Sequence, residues 1–218
     1  MKRRYNNIFF VTKTALLLGL LGIMLGACSK TNRVEALHYK KEIIRERADK
    51  DQFFGKSAES PLLPVQRMNF RGLNYFPPDI KYKLEARFIP LKTMKYFKIR
   101  TSSGRERGYI TKGRLDFSYG NQKFTLMAYQ EEDQVARHPD DLFVPFTDPT
   151  NGKQTYGGGR YLDINSPGQG ERTVVVDFNL AFNPYCAYNH NYSCPIPPEE
   201  NHLSIAIMAG EKKFPKHN

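Results

Sequence analysis

The stretch Arg114-Leu115-Asp116-Phe117-Ser118-Tyr119-Gly120-Asn121-Gln122-Lys123-Phe124-Thr125-Leu126 decides the fold class. Polar and apolar residues alternate through its first arm, which is the pattern of a strand with one face buried. Gly120-Asn121 supplies a two-residue hairpin turn, because such turns need a backbone conformation that glycine adopts without a Cβ clash. Working outward, Tyr109–Tyr119 and Lys123–Tyr129 become the two arms. Upstream, Tyr82, Leu84, Ala86 and Phe88 alternate with Lys83, Glu85 and Arg87, and a further run covers about 94–101. Ser102-Ser103-Gly104-Arg105 reads as the turn that follows it.

Downstream, Leu142-Phe143-Val144-Pro145-Phe146 reads as an edge strand, since proline cannot donate to a ladder on both sides. Tyr156–Ile164, Thr173–Asn179 and Leu203–Met208 complete the set. The count is about eight strands, with one helix at the N-terminal side from about Val34 to Gly55, where Val34, Leu37, Ile44 and Ala48 share a face. Prolines at 61, 64, 77 and 78 exclude regular helix between them. With no repeat and no interior linker, the expected architecture is mainly β: a single barrel- or sandwich-like domain over 34–218.

The first 28 residues carry an address. Lys2, Arg3, Arg4 and Lys13 lead into an 11-residue uncharged run, Ala15–Leu25, that ends in Leu25-Gly26-Ala27-Cys28. The order of positive charge, short apolar core and small residues is that of a secretory signal peptide over 1–27. The apolar core is shorter than the roughly 20 residues a membrane span requires. Leu-Gly-Ala-Cys resembles the lipobox of bacterial lipoproteins, which implies cleavage before Cys28, diacylglyceryl modification of its thiol and a lipidated tether over 28–33. Acyl chains anchor because each buried CH₂ contributes about 0.8 kcal/mol. Ser29, by resemblance to enterobacterial sorting, directs the product to the periplasmic side of the outer membrane. The expected location is thus the cell envelope, held to a membrane by lipid.

Removing residues 1–27 takes four of the 33 basic residues and none of the 22 acids, so the net charge falls from +11 to +7. That moderate excess suits either a solvated basic face or an anionic envelope ligand or protein partner. Nucleic acid is excluded as a partner by the compartment and by the lack of a recognition module. No cofactor motif stands out. Gly157-Gly158-Gly159 lacks the Lys-Ser/Thr of a phosphate loop and precedes a strand, so it reads as a bulge or a close backbone approach.

With Cys28 lipidated, Cys186 and Cys194 form an even pair in an oxidising compartment, where a disulfide is the default. A metal site from Cys186, His190 and Cys194, with His202 as fourth ligand, is the sharper alternative. Arg160, Asp163, Asp177, Asn179, Asn183 and Tyr188 are candidate ligand-binding residues, or else members of a structural hydrogen-bond network. Asp163 and Asp177 are the candidate carboxylate pair for hydrolysis of envelope material. No nucleophile elbow or Ser/His/Asp set appears. A β-rich architecture also admits a flavin-binding small barrel.

Four blocks carry a resemblance: Leu73-Asn74-Tyr75-Phe76-Pro77-Pro78, Thr101-Ser102-Ser103-Gly104, Tyr156-Gly157-Gly158-Gly159-Arg160-Tyr161-Leu162-Asp163, and Asn183-Pro184 through the Cys/Pro segment. Over about residues 55–212 the chain resembles a bacterial family known only as a domain of unknown function, found in lipoproteins and in non-lipidated relatives. The resemblance implies no activity. Leu180, Tyr185 and His190 stand where that family usually has a basic residue, a proline and a proline.

Overall fold

The computed structural model describes residues 33–215, apart from the Met94 side chain. The signal-peptide and Cys28 expectations therefore lie outside the described residues. Helix α1 runs over residues 33–56. The chain divides into two compact units at Glu42/Ile43, and the β domain belongs wholly to the second.

The second unit is built around one six-stranded sheet in the order β5-β4-β3-β2-β1-β6. Its strands are β1 (Lys83–Arg100), β2 (Glu106–Tyr119), β3 (Gln122–Glu131), β4 (Asp141–Phe146), β5 (Arg160–Asn165) and β6 (Thr173–Asp177). The first five form an antiparallel meander, and β6 returns to pair with β1. Edge strands β5 and β6 then approach each other, so the sheet is a nearly closed barrel. The expected β-rich barrel is what forms.

The hairpin that opens the sequence argument is β2–β3, with Ser118 opposite Lys123 and Tyr119 opposite Gln122. Gly120 has φ +58, as the first central residue of a type II′ turn requires. The inward residues of this hairpin, Leu115, Phe117, Leu126 and Ala128, enter the main core with Leu142, Val144, Phe146, Val176 and Phe178. Each fully buried Leu or Phe among them contributes about 1.5–3 kcal/mol through removal of apolar surface from water.

Six strands form instead of about eight, for two reasons. Runs 82–88 and 94–101 are halves of one strand, β1, whose register slips between Pro90 and Lys95. Proline removes a ladder donor there, and the chain bulges rather than breaks. The run 203–208 is no strand at all. Leu203, Ile207 and Ala209 are buried in the barrel core without joining the sheet.

Two further expectations are corrected. Pro64 begins a one-turn helix, α2 (Pro64–Met68), where its missing N–H is no loss. Strand β4 lies inside the sheet, not at its edge, although Tyr129–Phe143 is its sole paired position with β3. The side chain of Asn201 fills the gap, donating to the Pro145 carbonyl at 2.7 Å.

The helix also turns a different face inward than its apolar periodicity suggests. Within the second unit Ile44 and Ala48 are exposed, whereas Ile43 and Phe54 are buried; Val34 and Leu37 belong to the first unit. Between Ile43 and Phe54, Arg47 donates to the carbonyls of Phe76 and Asn179 at 2.7 and 3.1 Å, and Asp51 accepts from the Leu73 amide at 2.9 Å. Among the described residues, no helix is long and apolar enough to cross a membrane.

Candidate functional site

Strand periodicity gives the barrel wall a second face. On β4 and β5 the residues Leu142, Val144, Leu162 and Ile164 point into the core. The alternate positions Asp141, Phe143, Tyr161, Asp163 and Asn165 therefore share the outer face, with Phe143 opposite Asp163 and Asp141 opposite Asn165. Tyr109 on β2 and Glu131 on β3 lie opposite one another on the same outer side.

A loop rich in proline covers this face. Phe182 and Tyr161 exchange both backbone hydrogen bonds, at 2.9 and 3.0 Å. At the other end Ile196 donates to Arg100, and Ser102 donates to Cys194, both at 2.8 Å. The Tyr161 hydroxyl donates to the Pro195 carbonyl between these anchors. Prolines 184 and 195 keep the spanning segment out of regular structure, so it arches over the sheet instead of joining it.

Between arch and sheet lies a cleft of about 660 Å³. An unbroken run of rings lines one side: Tyr109 stacks on Phe143 at 5.7 Å, Phe143 meets Tyr161 edge-on at 4.8 Å, and Tyr161 meets Phe182 at 5.8 Å. Tyr185 and Tyr192, also edge-to-face at 5.2 Å, stand partly exposed on the arch. Such rings offer large apolar area with fixed geometry.

Three carboxylates line the same space. Glu131 is paired with Arg107 at 3.1 Å, and Asp141 lies 3.6 Å from the His138 ring. Asp163 has no hydrogen-bond or ion-pair partner among the described residues. Its side chain is exposed to the water of the cleft, with the cleft walls crowding it on the other sides. Desolvation by those walls, with Asp141 adding like-charge repulsion and Lys50 opposing it, raises the Asp163 carboxyl to about 6. Desolvation likewise pushes the Tyr109, Tyr161 and Tyr185 hydroxyls above the ordinary phenol value.

A family model described as a protein of unknown function (DUF1684) matches residues 68–212, the β domain with its arch. The chain belongs to the DUF1684 family. Among solved structures it is similar to the solution NMR structure of an uncharacterized protein from Haloarcula marismortui. The two share 36% identity at a TM-score of 0.64, over 83% of this chain and 97% of that one. No curated protein matches the chain.

The DUF1684 domain distributes the sequence candidates over four places. Of the ligand-binding candidates Asp163 alone lines the cleft; Cys194, a candidate for the disulfide, lines it too. Arg160, at the start of β5, is fully buried and donates to Asp148 at 2.8 Å and to the carbonyls of Ile207 and Ala209. Burial lowers its pKa, and the Asp148 charge works against that. Asn183 and Tyr188 converge on buried Glu211, which the Asn183 amide reaches at 2.9 Å and the Lys50 ammonium at 2.6 Å. Asp177 accepts from the Asn179 amide at 2.9 Å, and Asn179 bonds both backbone groups of Asp79. Asp177 is not among the residues lining the cleft that holds Asp163, so the two are not gathered there as an acid pair.

The cysteines do meet. Cys186 and Cys194 are both buried thiols, and the Cys186 amide donates to the Cys194 sulfur at 3.1 Å. The thiol of Cys194 donates to Cys186, which lowers the Cys186 pKa and raises that of Cys194. His190 is exposed, and His202 bonds the Thr147 hydroxyl at 3.0 Å. Among the described residues no group of three His, Cys, Asp or Glu is arranged to hold a metal.

Glu211, Asn201 and the ring run of the cleft escaped the sequence reading. Glu211 has no signal, being one acid beside two lysines. The rings had one: both faces of 142–146 are apolar, which implies a cover on each.

Proposed function

We propose that this DUF1684 chain is a lipid-anchored envelope protein whose barrel binds a small ligand in the cleft between β4–β5 and the arch. The N-terminal charge pattern and Leu25-Gly26-Ala27-Cys28 support the anchor. The observation that carries the binding site is Asp163, a carboxylate without a partner in a ring-lined cleft large enough for a small molecule. The other polar candidates are committed to the chain itself, so they support a scaffold role.

Hydrolysis by Asp163 with Asp177 is disfavoured because Asp177 is tied to Asn179 on β6's side of the barrel. A flavin phosphate would meet Asp141 and Asp163 rather than a cluster of cations. Ser193 and Cys194 also line the cleft, but the Ser193 hydroxyl is bonded to Ser103 and Thr101 and the Cys194 thiol to Cys186, so neither is coupled to Asp163 as an activated nucleophile.

The anchor is tested by Cys28→Ser, with expected loss of radiolabelled fatty acid and release from the membrane fraction. Retention of both label and membrane association sinks the lipoprotein reading. The binding site is tested by a fragment screen that follows the amide resonances of Tyr161 and Asp163. A library without a single hit at the cleft refutes it.

A further inference from the structure

We infer that the cleft's ligand is a small organic cation, an ammonium group carried on an apolar or flat body. This rests on the binding reading above and specifies its chemistry. Asp163 is an unpaired carboxylate on the wall of a ring-lined cleft, where the crowding walls and the neighbouring Asp141 disfavour its charge in the empty protein. A cation in contact with Asp163 offsets this; a neutral ligand does not.

The surrounding charges point the same way. On the β5 floor Asp163 neighbours Asp141 across to β4, and both face the same side. Arg107 is held by Glu131 and by the Ser193 carbonyl at 3.2 Å. From α1, Lys50 reaches the field of Asp163, but its ammonium is 2.6 Å from Glu211. His138 stands by Asp141, and Tyr185 faces Asp163 from the arch. Arg107 and His138 line the cleft but are engaged by Glu131 and Asp141, which leaves Asp163 and several ring faces for a guest. Aromatic faces attract cations through their quadrupole, so walls and floor select the same class. The sign is opposite to the net charge of the chain, which favours an anion only if the whole surface is averaged.

The experiment uses isotopically labelled full chain in detergent, with 2-phenylethylammonium and its neutral counterpart 2-phenylethanol as probes. Near pH 8 the ammonium is expected to bind about tenfold more tightly, on the scale of a desolvated cation–ring and ion-pair contact. Near pH 5, where Asp163 is protonated, the gap should close. In Asp163→Asn the ratio between the two affinities should fall to about one. Equal affinities near pH 8, or a preference that survives Asp163→Asn, overturns the cation inference. So does binding of other fragments in the cleft when neither probe binds, and the binding reading then stands. An empty cleft against every compound overturns both.

Discussion

Asn201 pairs with Met127 as a strand neighbour would. Its Oδ1 accepts from the Met127 amide at 2.7 Å and its Nδ2 donates to the Met127 carbonyl at 2.9 Å. The same Nδ2 reaches Pro145 on β4 at 2.7 Å. One fully buried side chain thereby joins β3 to β4 where the strands themselves have separated, and this is why an interior strand tolerates proline.

Replacing Asn201 by Ala leaves three backbone groups without partners in a buried seam. The expected loss is roughly 3 kcal/mol, since each stranded polar group costs about 1–3 kcal/mol and some will find water. Asn201→Asp should not rescue it, because the second oxygen would face two carbonyls. Urea denaturation reads both, and near-native midpoints would show that the seam does not depend on Asn201.

Asp163 should titrate near pH 6 by carbon NMR of its carboxyl, not near 3.8. Between those values the folded chain holds a proton that the unfolded chain has released. Stability therefore falls as pH rises through this window and levels off above it. Asp163→Asn lacks the loss, so its Tm should match wild type near pH 4 and exceed it near pH 7. A midpoint near 4 would mean the cleft does not desolvate the carboxyl.

Arg160→Met should cost roughly 3–5 kcal/mol, because it strands the buried Asp148 carboxylate and two backbone carbonyls. Adding Asp148→Asn should recover part of that cost. The test is a double-mutant cycle in urea, in which strict additivity would deny the coupling.

Oxidation of Cys186 and Cys194 should form a bond between them, with the mass falling by two hydrogens. Closing so short a loop should stabilise by about 2–3 kcal/mol on the loop-entropy estimate. Since Cys194 lines the cleft, the Tyr161 resonances should shift at the same time. Intact mass under oxidising and reducing conditions checks the first point; an unchanged mass after oxidation would exclude the bridge.

Much of the sheet was legible because alternation and turn chemistry are local. The β2–β3 hairpin follows from Leu115, Phe117 and Gly120, and the close approach at Gly159 from its glycine run. A Cβ there would lie 2.6 Å from Pro197 and 2.8 Å from the Phe146 carbonyl. What was hidden depends on partners distant in sequence. Arg47, Asp51 and Lys50 turn inward to bond groups far along the chain, so the hydrophobic stripe named the wrong side of α1. Leu203 and Ile207 are apolar enough for a strand but find no edge to pair with. At the site, alternation correctly set Asp163 and Tyr161 on one face. It could not tell that the arch would cover that face, nor that Asp177 and Arg160 would be claimed by backbone neighbours.

The Arg160 anchor has a consequence for biogenesis. Its acceptors at Ile207 and Ala209 are among the last parts of the domain to be synthesised, and β1 gains its outer neighbour only at 173–177. An emerging chain thus holds an unmatched guanidinium and an open barrel until nearly all of it is present. Closure of the barrel must wait for 173–177, and the Arg160 contacts for Ile207 and Ala209, so the domain stays incomplete until these segments are made. Such a delay is compatible with the lipid-anchored export proposed above.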